Sequence, residues 1–71
     1  MKVRPGKYYR HFKGNRYVVI AIATHTETGE SMVVYASVSD PEKIWCRPLS
    51  MFTEKVIRDG KEFQRFTEEV L

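Results

Sequence analysis

At 71 residues the chain has room for one domain with a small core, and its 42% hydrophobic content is too high for a disordered segment. A formal charge of +3 is mildly basic, and no apolar run is long enough to cross a bilayer. The lone cysteine, Cys46, excludes an internal disulfide framework and fits a reducing compartment. With no apolar leader core after Lys2 and Arg4, the sequence reads as cytoplasmic.

Residues 1–6 form a lead-in that turns at Pro5-Gly6, and Lys7–Phe12 reads as a short strand, aromatic on both faces. A two-residue turn at Gly14-Asn15 would set Phe12 opposite Tyr17 and His11 opposite Val18. The cations Lys2, Arg4, Lys7, Arg10, Lys13 and Arg16 meet no acidic residue in this stretch, whereas the chain from Glu54 onward is mixed to acidic. The asymmetry predicts a local positive field near the N-terminus.

The best-defined feature is a hairpin with arms Tyr17–Ala23 and Met32–Val38, rich in the β-branched and aromatic residues that suit a pleated surface. Its first arm is apolar on both faces, which predicts a central strand buried on both sides. The tip, His25-Thr26-Glu27-Thr28-Gly29-Glu30, reads as a three-residue loop with Gly29 left-handed, because a two-residue turn would oppose Glu27 and Glu30.

Ser39–Lys43 is a loop around Asp40-Pro41. Ile44–Arg47 resumes a strand that Pro48 ends, with Trp45 and Arg47 on one face and Cys46 turned to the core beside Ile44. Leu49–Phe52 fits a single helical turn. Asp59-Gly60 is the strongest turn signal in the chain, and its two-residue register pairs Val56 with Phe63, Glu54 with Arg65, and Thr53 with Phe66. Met51-Phe52 and Val70-Leu71 read as packing.

These elements predict a mostly β chain: a single domain over 1–71, built as a small five-stranded antiparallel SH3-like barrel with at most one short helical turn. A helix over Phe52–Ile57 would give an α+β domain instead; the Asp59-Gly60 matches favour the barrel.

The segments Tyr9-Arg10-His11-Phe12-Lys13-Gly14-Asn15, Ala23–Glu30, Val33-Val34-Tyr35 and Trp45–Phe52, with Asp59-Gly60-Lys61 and Arg65-Phe66, form a specific combination. It resembles a family of short uncharacterised bacterial proteins, a domain of unknown function, from Tyr8 to Phe66. The resemblance implies a stand-alone bacterial domain and carries no activity over. Cys46 stands where that pattern suggests an aliphatic residue.

Several constellations invite a functional reading. His25 and Glu27 are two apart, so on a strand they would share a side as base and orienter. His11, Tyr35 and Trp45 beside Arg47 would make an aromatic-basic surface for bases or methylated cations. Arg47 before Pro48 offers a fixed fork for phosphate or carboxylate. Neither the CxxC, HxH and HExxH spacings of metal sites nor a phosphate-loop pattern occurs, so no metal or cofactor is expected.

The sequence thus favours a non-enzymatic binding module whose basic-aromatic face takes nucleic acid or a protein partner. The face would use Lys7, Arg10, Lys13, Arg16 and Arg47 for charge and His11, Tyr35 and Trp45 for stacking, with His25 and Glu27 at the tip. The competing reading is a small hydrolase or ligand-processing domain built on His25, Glu27 and Arg47. A third is a structural adaptor pairing through open strand edges, and the expected state is a monomer or weak homodimer.

Overall fold

The computed structural model describes residues 2–70. Seven strands and one helical turn follow in order: β1 Tyr8–His11, β2 Arg16–Thr24, β3 Ser31–Ser37, β4 Ile44–Pro48, α1 Leu49–Phe52, β5 Lys55–Arg58, β6 Lys61–Gln64 and β7 Phe66–Glu69. Five of the strands make one antiparallel sheet in the order β4-β3-β2-β1-β7, and β5 and β6 form a separate ribbon. The mostly β class, the five-stranded antiparallel sheet and the short helical turn are as the sequence predicts. The sheet is open, with β4 and β7 as its unpaired edges.

Although open, the sheet is strongly curled. Laid flat, strands four places apart would be separated by about 19 Å. Yet the guanidinium carbon of Arg47, on β4, lies 5.8 Å from the ring centroid of Phe66 on β7. The concave side carries the core: Tyr9, Val19, Val33, Tyr35 and Phe66 from the sheet, closed by Phe52 of α1 and Val3 of the lead-in. Phe52 and Phe66 stack with centroids 3.9 Å apart and planes within 3°. Aromatic rings supply most of this core, as a short chain needs for its buried area.

Local chemistry explains the connections. Pro5-Gly6 makes the expected turn, with Gly6 at φ 83° and its N–H donated to the Val19 carbonyl at 2.8 Å. Pro48 sits at the helix start, and the Thr53 hydroxyl closes the other end by donating to the Leu49 carbonyl at 3.0 Å. Asp59 and Gly60 both take positive φ, 53° and 74°, which fits a two-residue primed turn. The pairing Val56 with Phe63 follows as predicted, and Arg65 Nε donates to Glu54 Oε1 at 3.0 Å. Phe66 leaves this register and joins β7, opposite His11 rather than Thr53.

Other details differ from the sequence reading. The first hairpin sets Tyr9 against Tyr17 and Arg10 against Arg16, with His11 facing Asn15 across a loop of Phe12-Lys13-Gly14. The His11 side chain explains the longer loop: its Nδ1 accepts the Lys13 N–H at 3.1 Å. The second tip has four residues, Thr26 to Gly29, because His25 pairs with Glu30; Gly29 is left-handed as expected. The β2–β3 register shifts at Ile20, a bulge that leaves this residue 47% exposed, so β2 is not buried on both faces. Cys46 and Ile44 are exposed; the core side of β4 is the Trp45–Arg47 side. Phe52 is fully buried, whereas Met51 and Val70 are exposed, and Leu71 lies outside the described residues.

Candidate functional site

The register of the sheet places Tyr9, His11, Tyr17, Val19, Tyr35, Trp45 and Arg47 on the concave side, because side chains alternate and cross-strand partners share a face. Where the curl brings β4 toward β7, a cleft of about 510 Å³ opens among His11, Tyr17, Tyr35, Trp45, Cys46, Arg47, Pro48, Met51 and Phe66. Its size lies within the usual range for small-molecule sites.

Four rings form its walls and floor. Tyr17 touches Tyr35, Trp45 and Phe66 at centroid distances of 5.3, 5.5 and 5.7 Å, mostly edge to face. Tyr35 is only 4% exposed and forms the floor, whereas Trp45 is 41% exposed and stands at the rim. Arg47 rests over Phe66 and forms no salt bridge among the described residues. Among the described residues, no carboxylate lines the cleft.

His11 closes one end, its ring 5.0 Å from Phe66 and edge-on to it. Burial lowers its pKa from the ordinary histidine value, and the charges of Arg65, Arg47 and Lys13 lower it further. At neutral pH the ring is therefore uncharged. With Nδ1 accepting the Lys13 N–H, the proton resides on Nε2.

The residues singled out in the sequence separate into three places. His11, Tyr35, Trp45 and Arg47 meet at the cleft. Lys13 lies in the adjoining β1–β2 turn, its Nζ 5.9 Å from the Phe12 ring centroid. Arg16 is on the opposite, convex face beside Arg10, and both donate to Glu69, at 2.7 and 2.9 Å. His25 and Glu27 sit at the β2–β3 tip, about 25 Å of extended strand from Tyr17. There His25 Nδ1 accepts the backbone N–H groups of Glu27 and Thr28, at 3.1 and 3.4 Å, and pins the turn.

Two contributors were missed by the sequence reading. Tyr17 and Phe66 form the centre of the ring cluster; Phe66 was assigned to hairpin packing and Tyr17 to the central strand. The available signal was the alternation Tyr17-Val18-Val19, which puts Tyr17 on the same face as buried Val19. Among the described residues, no three His, Cys, Asp or Glu side chains gather as metal ligands, and no helix is long and apolar enough to cross a membrane.

Comparison with known proteins places this architecture. A crystal structure of a DUF1653 protein from Bordetella bronchiseptica superposes with a TM-score of 0.77 at 33% identity, covering 97% of this chain and 88% of that one. No curated protein matches the chain. The family model described as protein of unknown function, DUF1653, matches residues 7–68, which include every strand but the last residue of β7, and the chain belongs to that family.

Proposed function

We propose that this chain is a non-enzymatic binding module whose concave cleft takes a planar, anionic unit: a nucleotide of a single-stranded nucleic acid. The observation that carries the reading is Arg47, a guanidinium without a carboxylate partner among the described residues, held against Phe66 at the mouth of a four-ring cleft. Stacking on such rings contributes roughly 1–3 kcal/mol per base, and the guanidinium fork matches phosphate oxygens. A methylated cation fits less well. Cation cages need an electron-rich, uncompensated wall, and here the Arg47 guanidinium, with no salt bridge among the described residues, makes the cleft positive.

The hydrolase reading finds no support in the geometry. His25 Nδ1 is occupied by backbone donors, and Arg47 is directed across the cleft toward Phe66 rather than to the β2–β3 tip. A base needs a free lone pair within reach of the proton it takes.

Trp45 is the single tryptophan, so its fluorescence reports on the cleft alone. The test is titration of the full chain with single-stranded oligonucleotides. Saturable quenching is expected, and Arg47→Ala should weaken it about tenfold, the cost of a charge-assisted contact. Unchanged fluorescence across the titration, or equal affinity for the variant, would overturn the proposal.

A further inference from the structure

A second cluster of rings and cations lies at the other end of the same surface, between the β1–β2 turn and the β5–β6 ribbon. Phe12 stacks on Phe63, centroids 6.4 Å apart and planes 19° from parallel, and Phe63 is 42% exposed. Two cations attend the Phe12 ring: Lys13 Nζ at 5.9 Å and the Arg58 guanidinium carbon at 5.7 Å. Neither forms a salt bridge among the described residues.

The placement is electrostatically unfavourable by itself. Arg58 faces Lys61 directly across the ribbon, a like-charge pair that opposes the hairpin. Four cations elsewhere are paired, Arg10 and Arg16 with Glu69, Arg65 with Glu54, and Lys55 with Glu62, while Lys2, Arg4, Lys7, Lys43 and Lys61 form no salt bridge among the described residues. What sets Lys13, Arg58 and Arg47 apart is that each lies against a ring, the first two against half-exposed Phe12 and the third against buried Phe66.

The His11 ring joins the two clusters. It lies 4.5 Å from Phe12 on one side and 5.0 Å from Phe66 on the other. A chain of rings thus runs from Phe63 to Trp45, with unpaired cations at both ends: Lys13 and Arg58 at one, Arg47 at the other.

We propose that one single strand of nucleic acid occupies both clusters at once, with bases along the ring chain and phosphates against Arg47 at one end and Lys13 and Arg58 at the other. The proposal rests on the cleft reading above and extends it to a ligand several nucleotides long. Charge complementarity argues for this occupant: a repeating anion with a π-face on every unit matches a run of rings with cations at both ends. Joining two weak sites through one ligand converts the second contact into an intramolecular one, so affinity rises steeply with strand length.

The test compares a thymidine dinucleotide with an oligothymidylate of about eight nucleotides, within the range of single-strand sites on small β-domains. Both are titrated against the native chain, Arg47→Ala, and the double variant Lys13→Gln/Arg58→Gln, whose folding is checked by its amide spectrum. The double variant should weaken the octamer about tenfold and lower its salt slope by about 0.7 per lost contact, while changing dinucleotide affinity less than about twofold. If the octamer loses affinity with Arg47→Ala but not with the double variant, the track is overturned and the cleft reading stands. If neither oligonucleotide binds, both are overturned. If a polyglutamate peptide binds as tightly as the octamer, the surface is a protein-docking face and the nucleic-acid track is overturned.

Discussion

The two faces of the five-stranded sheet treat arginine in opposite ways. On the convex face Arg10 and Arg16 are direct cross-strand neighbours, a like-charge pair that would oppose β1–β2 pairing, and Glu69 of β7 accepts from both. On the concave face Arg47 has rings for company and, among the described residues, no salt bridge, and Lys13 and Arg58 repeat the arrangement at the ribbon. The same side chain type thus serves cohesion on one side, where it ties the last strand to the first. On the other side its charge is left available. The count of basic residues is therefore a poor guide to a binding surface; which of them lack a carboxylate, and what they rest on, is the better one.

The largest expected effect removes what both faces share. Phe66→Ala takes away the ring that stacks on Phe52, supports Arg47 and anchors the start of β7. Such a truncation costs about 3–5 kcal/mol. A chain of this length holds only about 4–11 kcal/mol in total, so thermal melting should show a large drop in Tm or no folded state.

Arg47→Ala separates the faces. Binding of single-stranded oligonucleotide should fall about tenfold, while stability changes by no more than about 1–2 kcal/mol, the usual worth of a half-buried cation–π contact. A variant that loses both stability and binding together would mean that Arg47 serves cohesion after all.

Glu69→Gln is the converse. It should lower Tm, more at low salt than at high salt, and leave Trp45 quenching unchanged. The pH dependence carries a definite sign. Hydrogen bonds from Arg16 lead in holding the Glu69 pKa below the ordinary glutamate value. The folded chain therefore binds this proton less readily than the unfolded one. The contribution is present above the ordinary glutamate range and is lost as pH falls through the lowered pKa. Melts of the native chain and the variant should converge in acid and separate near neutrality.

The smallest effect belongs to His11. Its pKa is lowered in the folded chain, mainly by burial, so the unfolded chain takes up the proton first as pH falls. Stability should be highest above the ordinary histidine pKa and decline as pH drops from about 7 toward 5. His11→Gln should flatten that slope, measured as Tm against pH, with little change at pH 8.

The sequence made part of this contrast legible. The charge asymmetry between the basic first sixteen residues and the acidic end was visible, but it read as a free positive field. The structure joins those regions as β1 and β7, so Arg10 and Arg16 are compensated. β7 was illegible because Phe66-Thr67-Glu68-Glu69 has a single apolar residue and its two glutamates offset the strand preference of Phe66 and Thr67. Asp59-Gly60 announced its turn and register because positive φ at two successive positions narrows the choice of residue.

The turn after β1 was misread because a side chain sets it: His11 Nδ1 captures the Lys13 N–H and favours the longer loop. The bulge at Ile20 left no trace, since apolar residues flank it on both sides and the alternation carries no phase. For β4 the alternation was read correctly and its direction was not. Trp45 and Arg47 do share a face, but that face is the concave one, because a curled edge strand can turn a long arginine inward across an aromatic floor. His11, Tyr35, Trp45 and Arg47 were each legible as candidates. Their convergence, and the exclusion of Arg16, depended on the curl.

If the cleft takes nucleic acid as proposed, binding falls on the concave face and not on the convex one. An amide-NMR titration of the labelled chain with a single-stranded oligonucleotide, at low and moderate salt, tests it most directly. The predicted result is salt-sensitive shifts at His11, Tyr17, Trp45 and Arg47, with Arg10, Arg16 and Glu69 unmoved. Shifts confined to Arg10, Arg16 and their neighbours, or a spectrum that does not change, would contradict it.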